Sequence, residues 1–594
     1  MKKHLPTIIF ACVFIAGLFT FDHYGESWDD RSLQKYADLS MQAYITWPQQ
    51  GFVEVDSQNL GYYGPFFVSF VALGSQFLQT FLPYQLPDLR HLIYFLTWFA
   101  GILAFYSIAT RWLSQFPALG ATLLYVTQPL LWGHVFINPK DTPFLALFTI
   151  SLALGFKMID SVHRISFRPL EASPKRTLTL LTALWLVSIF GLFIFTQAIQ
   201  TYIETLVVSA RSGNINLFFL IAKDINAASV ETYTQRYFIL FLQLRAFYFL
   251  LSTLILLVTY HRLNHQLLII LRVILPAALL LGLTTSTRIL GPFAGVLITY
   301  YAWRKMGKQA LPAIAMYAVL AMITTYLTWP YLWMNPIAHV WGSFIEMSSY
   351  PWLGEVLFNS EKYLATDLPY SYLPVLFAIQ FTEPVWILAL VGLFFAIQEW
   401  RSNRSLLLLV LFWFFIPTLF FIARRVVLYD NFRQVLFILP PVFLLAGIAF
   451  ERIQTVKWQA VVMGLSLIPG LVGIISLHPY EYIYYNSLVG GVKNVQGRFE
   501  TDYWLTSYRE AAEYLNEIAS PTDLIWVEGP GYLYSAFAEN EENVYSWSRE
   551  QAPAPFDYIV VTTRSNADKT SYPDAGIIYT IERDGAVLAV IKKP

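Results

Sequence analysis

The sequence predicts a polytopic α-helical membrane protein of about thirteen transmembrane helices, with a small C-terminal extracytoplasmic α/β domain. Three observations lead there. Of 594 residues, 56% are hydrophobic and only 13% charged, with a mean hydropathy of +0.50; soluble domains carry roughly 25% charged residues. Apolar runs close to the ~20 residues that a bilayer crossing needs recur as far as residue 477. Beyond it the pattern changes to short apolar segments separated by Pro, Gly, Asn and Asp, as strands are.

The expected spans are 5–21, 90–111, 115–133, 143–160, 177–199, 237–260, 266–284, 289–303, 310–328, 372–397, 404–423, 434–450 and 457–477. The first is long for a signal peptide and no A-x-A site follows it, so it reads as an uncleaved span. The run 63–82 is placed on the membrane surface as an interfacial helix, because the basic residues then fall into order. With the N-terminus inside, the inner loops hold Lys2 and Lys3, then Arg111, then Lys157, Arg164, Arg168, Lys175 and Arg176. Later inner loops hold Arg262, then Arg304, Lys305 and Lys308, then Arg401 and Arg404, then Arg452 and Lys457. That is the positive-inside bias. The connections 22–89, 200–236 and 329–371 and the tail after 477 fall outside, rich in Trp, Tyr and Pro.

Within the first outer loop, Leu33, Tyr36, Ala37, Ser40, Met41 and Tyr44 recur at helical spacing. Trp47-Pro48 is the expected end of that helix, since proline cannot continue one. In the tail, 506–519 reads as an amphipathic helix, and DLIWVE, DYIVVTT, AGIIYTIE and AVLAVIKK as strands. Zero net charge gives no footprint for nucleic acid, and the lone Cys12 excludes a disulfide within the chain. His134, His163, His261, His265 and His478 lack zinc spacing, and no Walker loop, G-x-G-x-x-G or H-E-x-x-H occurs.

Three polar groupings stand out. Asp29-Asp30 opens the helix of the first outer loop, either as a solvated capping pair or as a general base for a hydroxyl nucleophile. Repulsion from Asp30 and Asp141 is expected to raise the pKa of Asp29, unless the carboxylates share a cation. GHVFINPKDTPF joins two spans at the outer surface and contains His134, Asn138, Lys140 and Asp141. Arg90, Arg288, Arg424, Arg425 and Arg433 stand at outer span ends. Singly they are headgroup anchors; together they suit a phosphate, whose oxygens guanidinium forks bind in pairs. Arg288 and Arg433, with Lys140, are expected beside a lipid-phosphate leaving group, and truncation of Arg433 is expected to leave the fold intact.

The order of these features resembles the GT-C glycosyltransferases, in particular the protein O-mannosyltransferase and aminoarabinose-transferase branch. FINPKDTPF, RRVVLYDNFRQVLFILPP and HPYEYIYYNSLVGGVKN look like a bacterial subgroup of it, the family 39-type glycosyltransferases. The resemblance implies the GT-C fold and a polyprenyl- or dolichyl-phosphate sugar donor used at the outer leaflet of the cell envelope, with inversion. It puts the family's Asp-Glu pair on Asp29-Asp30, departing at the second position, its second-loop aspartate on Asp141 and its span-two arginine on Arg90. Asp29 would deprotonate the acceptor, and Asp141 would orient the site or a divalent cation. Residues 1–477 would form the transmembrane catalytic domain and 478–594 an extracytoplasmic domain, in a bacterial inner membrane with the N-terminus cytoplasmic. The acceptor would be a hydroxyl of a protein, lipid or glycan. The rival reading is a multi-span transporter or flippase, which explains many spans and rim charges but predicts internal repeats and binding near the midplane.

Overall fold

The computed structural model describes residues 4–50, 60–165, 172–216, 226–263, 267–348, 350, 352–547 and 555–594. Lys2, Lys3, Arg168 and His265 lie outside the described residues. Among those described, eight helical stretches are long and apolar enough to cross a membrane: Leu5–His23, Leu86–Ala109, Asp141–Arg164, Arg176–Ile194, Val230–Arg262, Pro292–Thr328, Trp400–Arg424 and Val456–Leu477. The chain is an integral membrane protein.

The count of about thirteen is not reproduced, for physical reasons that differ from run to run. The run 115–133 is split into the helices Gln115–Val126, buried from Pro117 on, and Pro129–Ile137, buried throughout. The run 434–450 is a 3-10 turn, Arg433–Ile438, followed by the 12-residue helix Pro440–Glu451, buried from Pro440 to Phe450. A helix enclosed by protein is as apolar on all sides as one enclosed by lipid, so hydropathy alone cannot separate them. The run 372–397 breaks into Tyr372–Gln380 and Glu383–Gln398, bent by 109°, which makes a ninth span if the pair counts as one. The runs 289–303 and 310–328 lie in one apolar stretch, interrupted at Gly307, where φ is +56°.

The chain forms two units. The first comprises Met1–Gln34, Phe70–Ala153 and Ser348–Pro594. In it Glu383–Gln398 packs on Pro440–Glu451 so closely that a Cβ on Gly392 would strike the Leu445 carbonyl. The tail has the strand order Val544–Ser546, Ile525–Val527, Tyr558–Thr562, Ala586–Lys593, Gly576–Arg583. The first three run parallel and the last two pair antiparallel. Four of these strands were legible in the sequence; Val544–Ser546 is too short to show alternation. The expected tail helix is Tyr508–Ile518. A hairpin, Glu355–Phe358 with Glu361–Leu364, turns through Asn359 and Ser360, both at positive φ as a tight hairpin turn requires.

The second unit comprises Lys35–Ser69 and Leu154–Met347. Its core includes Ile203, Val207, Phe238 and Leu242. Arg245 is buried there, donating to Thr196 Oγ1 at 2.8 Å and to the Trp333 carbonyl at 2.5 Å. The run 63–82 yields a helix of 14 residues, Phe66–Gln79, short of a crossing. The helix Asp30–Gln50 runs two residues beyond Pro48, contrary to the expected stop. Proline removes one donor, and near a helix end that costs a single bond.

Candidate active site

The first loop is pinned before it reaches the acidic pair. Gly25 lies against the Thr506 carbonyl, where any Cβ would clash. Asp30 then reaches back to Ser27, accepting from its backbone N–H and its Oγ, both at 2.9 Å, as the acidic member of a capping box does. Tyr94 donates to the other oxygen of Asp30 at 3.2 Å. Arg90, from the helix Leu86–Ala109, pairs with Glu26, a buried residue the sequence reading passed over. Burial pushes the Glu26 carboxyl up to about 7 against the opposing pull of Arg90. Burial raises Asp30 as well. Asp30 is thus a buried member of a Glu26–Arg90–Tyr94 network.

Asp29, one residue earlier, faces other partners. Its Oδ2 lies 2.9 Å from Lys140 Nζ and 3.4 Å from Arg433 Nη2. Lys140 and Asp141 come from the loop that enters the helix Asp141–Arg164. Asn138 Oδ1 accepts from the backbone N–H groups of both, at 3.1 and 2.7 Å, which fixes the turn. Arg433 donates from Nη1 to Asp141 Oδ2 at 2.9 Å and from Nη2 to Asp430 Oδ2 at 3.0 Å. It sits 4.8 Å from the centroid of a Trp504 ring and 5.0 Å from that of Tyr429. Asp430 and Asn431 take positive φ of 52° and 61°, a conformation these short polar residues tolerate best, and this aims Asp430 at Arg433. Trp504 Nε1 donates to Asp430 Oδ2 and Arg564 Nη2 to its Oδ1, each at 3.2 Å.

Three aspartates and three cations are therefore interlocked. Of the three aspartates Asp29 is the one a substrate can reach: 26% of its side chain is exposed, against 7% for Asp430 and 3% for Asp141. The repulsion expected to raise Asp29 is overruled. Burial does push it up, but the charges of Lys140 and then Arg433 outweigh burial, and the net shift is downward. Asp30 is turned instead to Ser27 and Tyr94. The expectation for Arg433 also changes, because it is the buried hub of the cluster and not an exposed rim charge.

The structure brings together Asp29, Lys140, Asp141 and Arg433, places Asp30 and Arg90 in the adjoining network, and puts Arg288 in the second unit. Glu26, Asp430, Trp504 and Arg564 were missed. Asp430 stands inside the quoted string RRVVLYDNFRQVLFILPP, which was read for its arginines alone. Among the described residues no group of three His, Cys, Asp or Glu side chains is arranged to hold a metal ion. Asp29, Asp141 and Asp430 all turn oxygens to Arg433, so this donor set suits a guanidinium rather than a divalent cation.

No protein-family model and no curated protein matches the chain. Solved structures do. ArnT from Cupriavidus metallidurans in the apo state is 12% identical with a TM-score of 0.46, over 100% of this chain and 98% of that one. The same protein bound to undecaprenyl phosphate is 12% identical with a TM-score of 0.47, over 98% and 97%. The archaeal oligosaccharyltransferase AglB from Archaeoglobus fulgidus, in complex with an inhibitory peptide and a dolichol-phosphate, is 12% identical with a TM-score of 0.37, over 96% and 70%.

Proposed function

We propose that this chain is a membrane glycosyltransferase of GT-C type. It moves a sugar from a polyprenyl-phosphate donor to a hydroxyl acceptor at the outer face of the membrane, with inversion. Its N-terminus is cytoplasmic, and residues 478–594 form the extracytoplasmic domain beside the catalytic domain 1–477. The observation that carries the reading is one reachable carboxylate, Asp29, held by Lys140 and Arg433 in an otherwise apolar chain.

In this reaction the acceptor oxygen attacks the anomeric carbon as its proton passes to Asp29. The bond from that carbon to the phosphate oxygen breaks, and polyprenyl phosphate leaves with one more negative charge than it carried as the diester. Lys140, at the exposed side of the cluster, stabilises the charge as it develops. Lys140 and Arg433 hold Asp29 low before the donor arrives. A donor phosphate that draws Lys140 away weakens the pull on Asp29, which becomes a stronger base when it is needed. Arg90, Glu26 and Asp30 position the loop.

The test is incubation of the purified protein with a panel of radiolabelled polyprenyl-phosphate sugars and a cell-envelope extract, followed by identification of the labelled product. A covalent sugar product supports the reading. A transporter or flippase would move label across proteoliposomes and form none.

A further inference from the structure

An open cleft enclosing about 690 Å³, solvent included, lies in the first unit where the hairpin, the segment 496–503 and the segment 563–569 meet. Its lining mixes both signs of charge, four carboxylates against three cations, and is rich in hydrogen-bonding groups. Glu355, Glu500, Asp502 and Asp568 face Lys362, Arg564 and Lys569, with amides and hydroxyls between them and the rings of Phe499 and Tyr503 beside them. A phosphate would meet too many carboxylates there, and a lipid chain too few apolar groups.

Glu500 is the group whose state calls for a ligand. It is only 8% exposed, yet its Oε2 has no hydrogen-bond partner among the described residues. A buried carboxylate oxygen left unpaired is costly. Burial pushes Glu500 up to about 7, so near neutrality it can accept or donate a hydrogen bond. The cleft also adjoins the acidic–basic cluster. Arg564 lines it while bonding Asp430, and stands 5.3 Å from the Trp28 ring centroid, next to Asp29 in sequence. The backbone N–H of Asn431, in the turn that aims Asp430, hydrogen-bonds to Glu500.

We propose that this cleft binds the acceptor, and that the acceptor is a neutral polyhydroxylated glycan whose hydroxyl groups satisfy Glu500. Both the mixed charges and the adjacent rings suit a sugar, which offers donors, acceptors and an apolar face without net charge. The proposal rests on the transferase reading and names the acceptor class for it.

The test uses full-length protein in detergent micelles without donor, probed by saturation-transfer NMR with neutral hexose and N-acetylhexosamine oligosaccharides, a Ser/Thr-rich peptide and inorganic phosphate. The oligosaccharides are expected to bind the wild type. Glu500→Ala, and Lys569→Ala on the exposed lip, should weaken them by about tenfold. Lys569→Ala keeps the test decisive should Glu500→Ala fail to fold. Binding of the peptide or phosphate but no oligosaccharide overturns the proposal, as does oligosaccharide binding that neither variant changes. Failure of the transferase reading looks different: the oligosaccharide binds at the cleft, but the wild type, once supplied with polyprenyl-phosphate sugar, forms no product.

Discussion

Replacing Arg433 by alanine should unfold the first unit's membrane-proximal core far more readily than a typical point change. The guanidinium lies within 3.4 Å of carboxylate oxygens from Asp29, Asp141 and Asp430, and the last two side chains are only 3% and 7% exposed. Removing one partner of a buried pair strands the other charge and costs about 3–5 kcal/mol. That lowers the folding equilibrium constant by about two to four orders of magnitude. Arg433→Lys should cost less, because it keeps a charge, but a point charge cannot fork across three carboxylates. Asp141→Asn placed on Arg433→Ala should recover about 1 kcal/mol, because the neutral amide no longer repels its neighbours. The assay is unfolding by SDS titration in mixed micelles, followed by tryptophan fluorescence. If Arg433→Ala unfolds within about 0.5 kcal/mol of wild type, the size of an ordinary surface change, the interlocked cluster is wrong.

Further outcomes follow from the same geometry. Lys140 is the main charge holding Asp29 low, so Lys140→Met should move the acid limb of the kcat/KM pH profile to higher pH; an unmoved limb removes Asp29 from the step. Glu26 is raised in the folded protein to about 7, so its contribution to stability is full below the unfolded value of about 4.3 and is lost as pH rises through about 7. Glu26→Gln should therefore show a smaller fall in melting temperature from pH 5 to pH 8 than wild type, and equal falls would contradict the shift. Reporter fusions after Lys457 and at Pro594 should report opposite sides of the membrane, as the span Val456–Leu477 lies between them; same-side signals would overturn the topology.

Sequence alone disclosed Asp29, Lys140, Asp141 and Arg433 because a polar side chain at a span junction stands out against apolar neighbours. Residue type alone could not tell Asp29 from Asp30; the family resemblance singled out Asp29. Successive residues at a helix start point in different directions, and only the fold shows one facing Lys140 and the other Ser27. Asp430 and Arg564 were invisible for another reason: their meaning is a shared contact across 134 positions of chain. Membrane helices were over-counted where apolar runs such as 434–450 are enclosed by protein. Four of the five tail strands were readable and Val544–Ser546 was not, and the turn chemistry of Asn359-Ser360 was present but unread.

The central claim is that Asp29 takes the acceptor proton in a sugar transfer from a lipid phosphate. It is tested most directly by comparing wild type with Asp29→Asn, purified, under saturating radiolabelled polyprenyl-phosphate sugar and acceptor. The account predicts a fall in turnover of about 10²- to 10⁴-fold, the usual contribution of a positioned acid–base group, with unchanged expression and donor affinity. Asparagine is nearly isosteric and cannot accept the proton as the carboxylate does. Transfer by Asp29→Asn at the wild-type rate would contradict it.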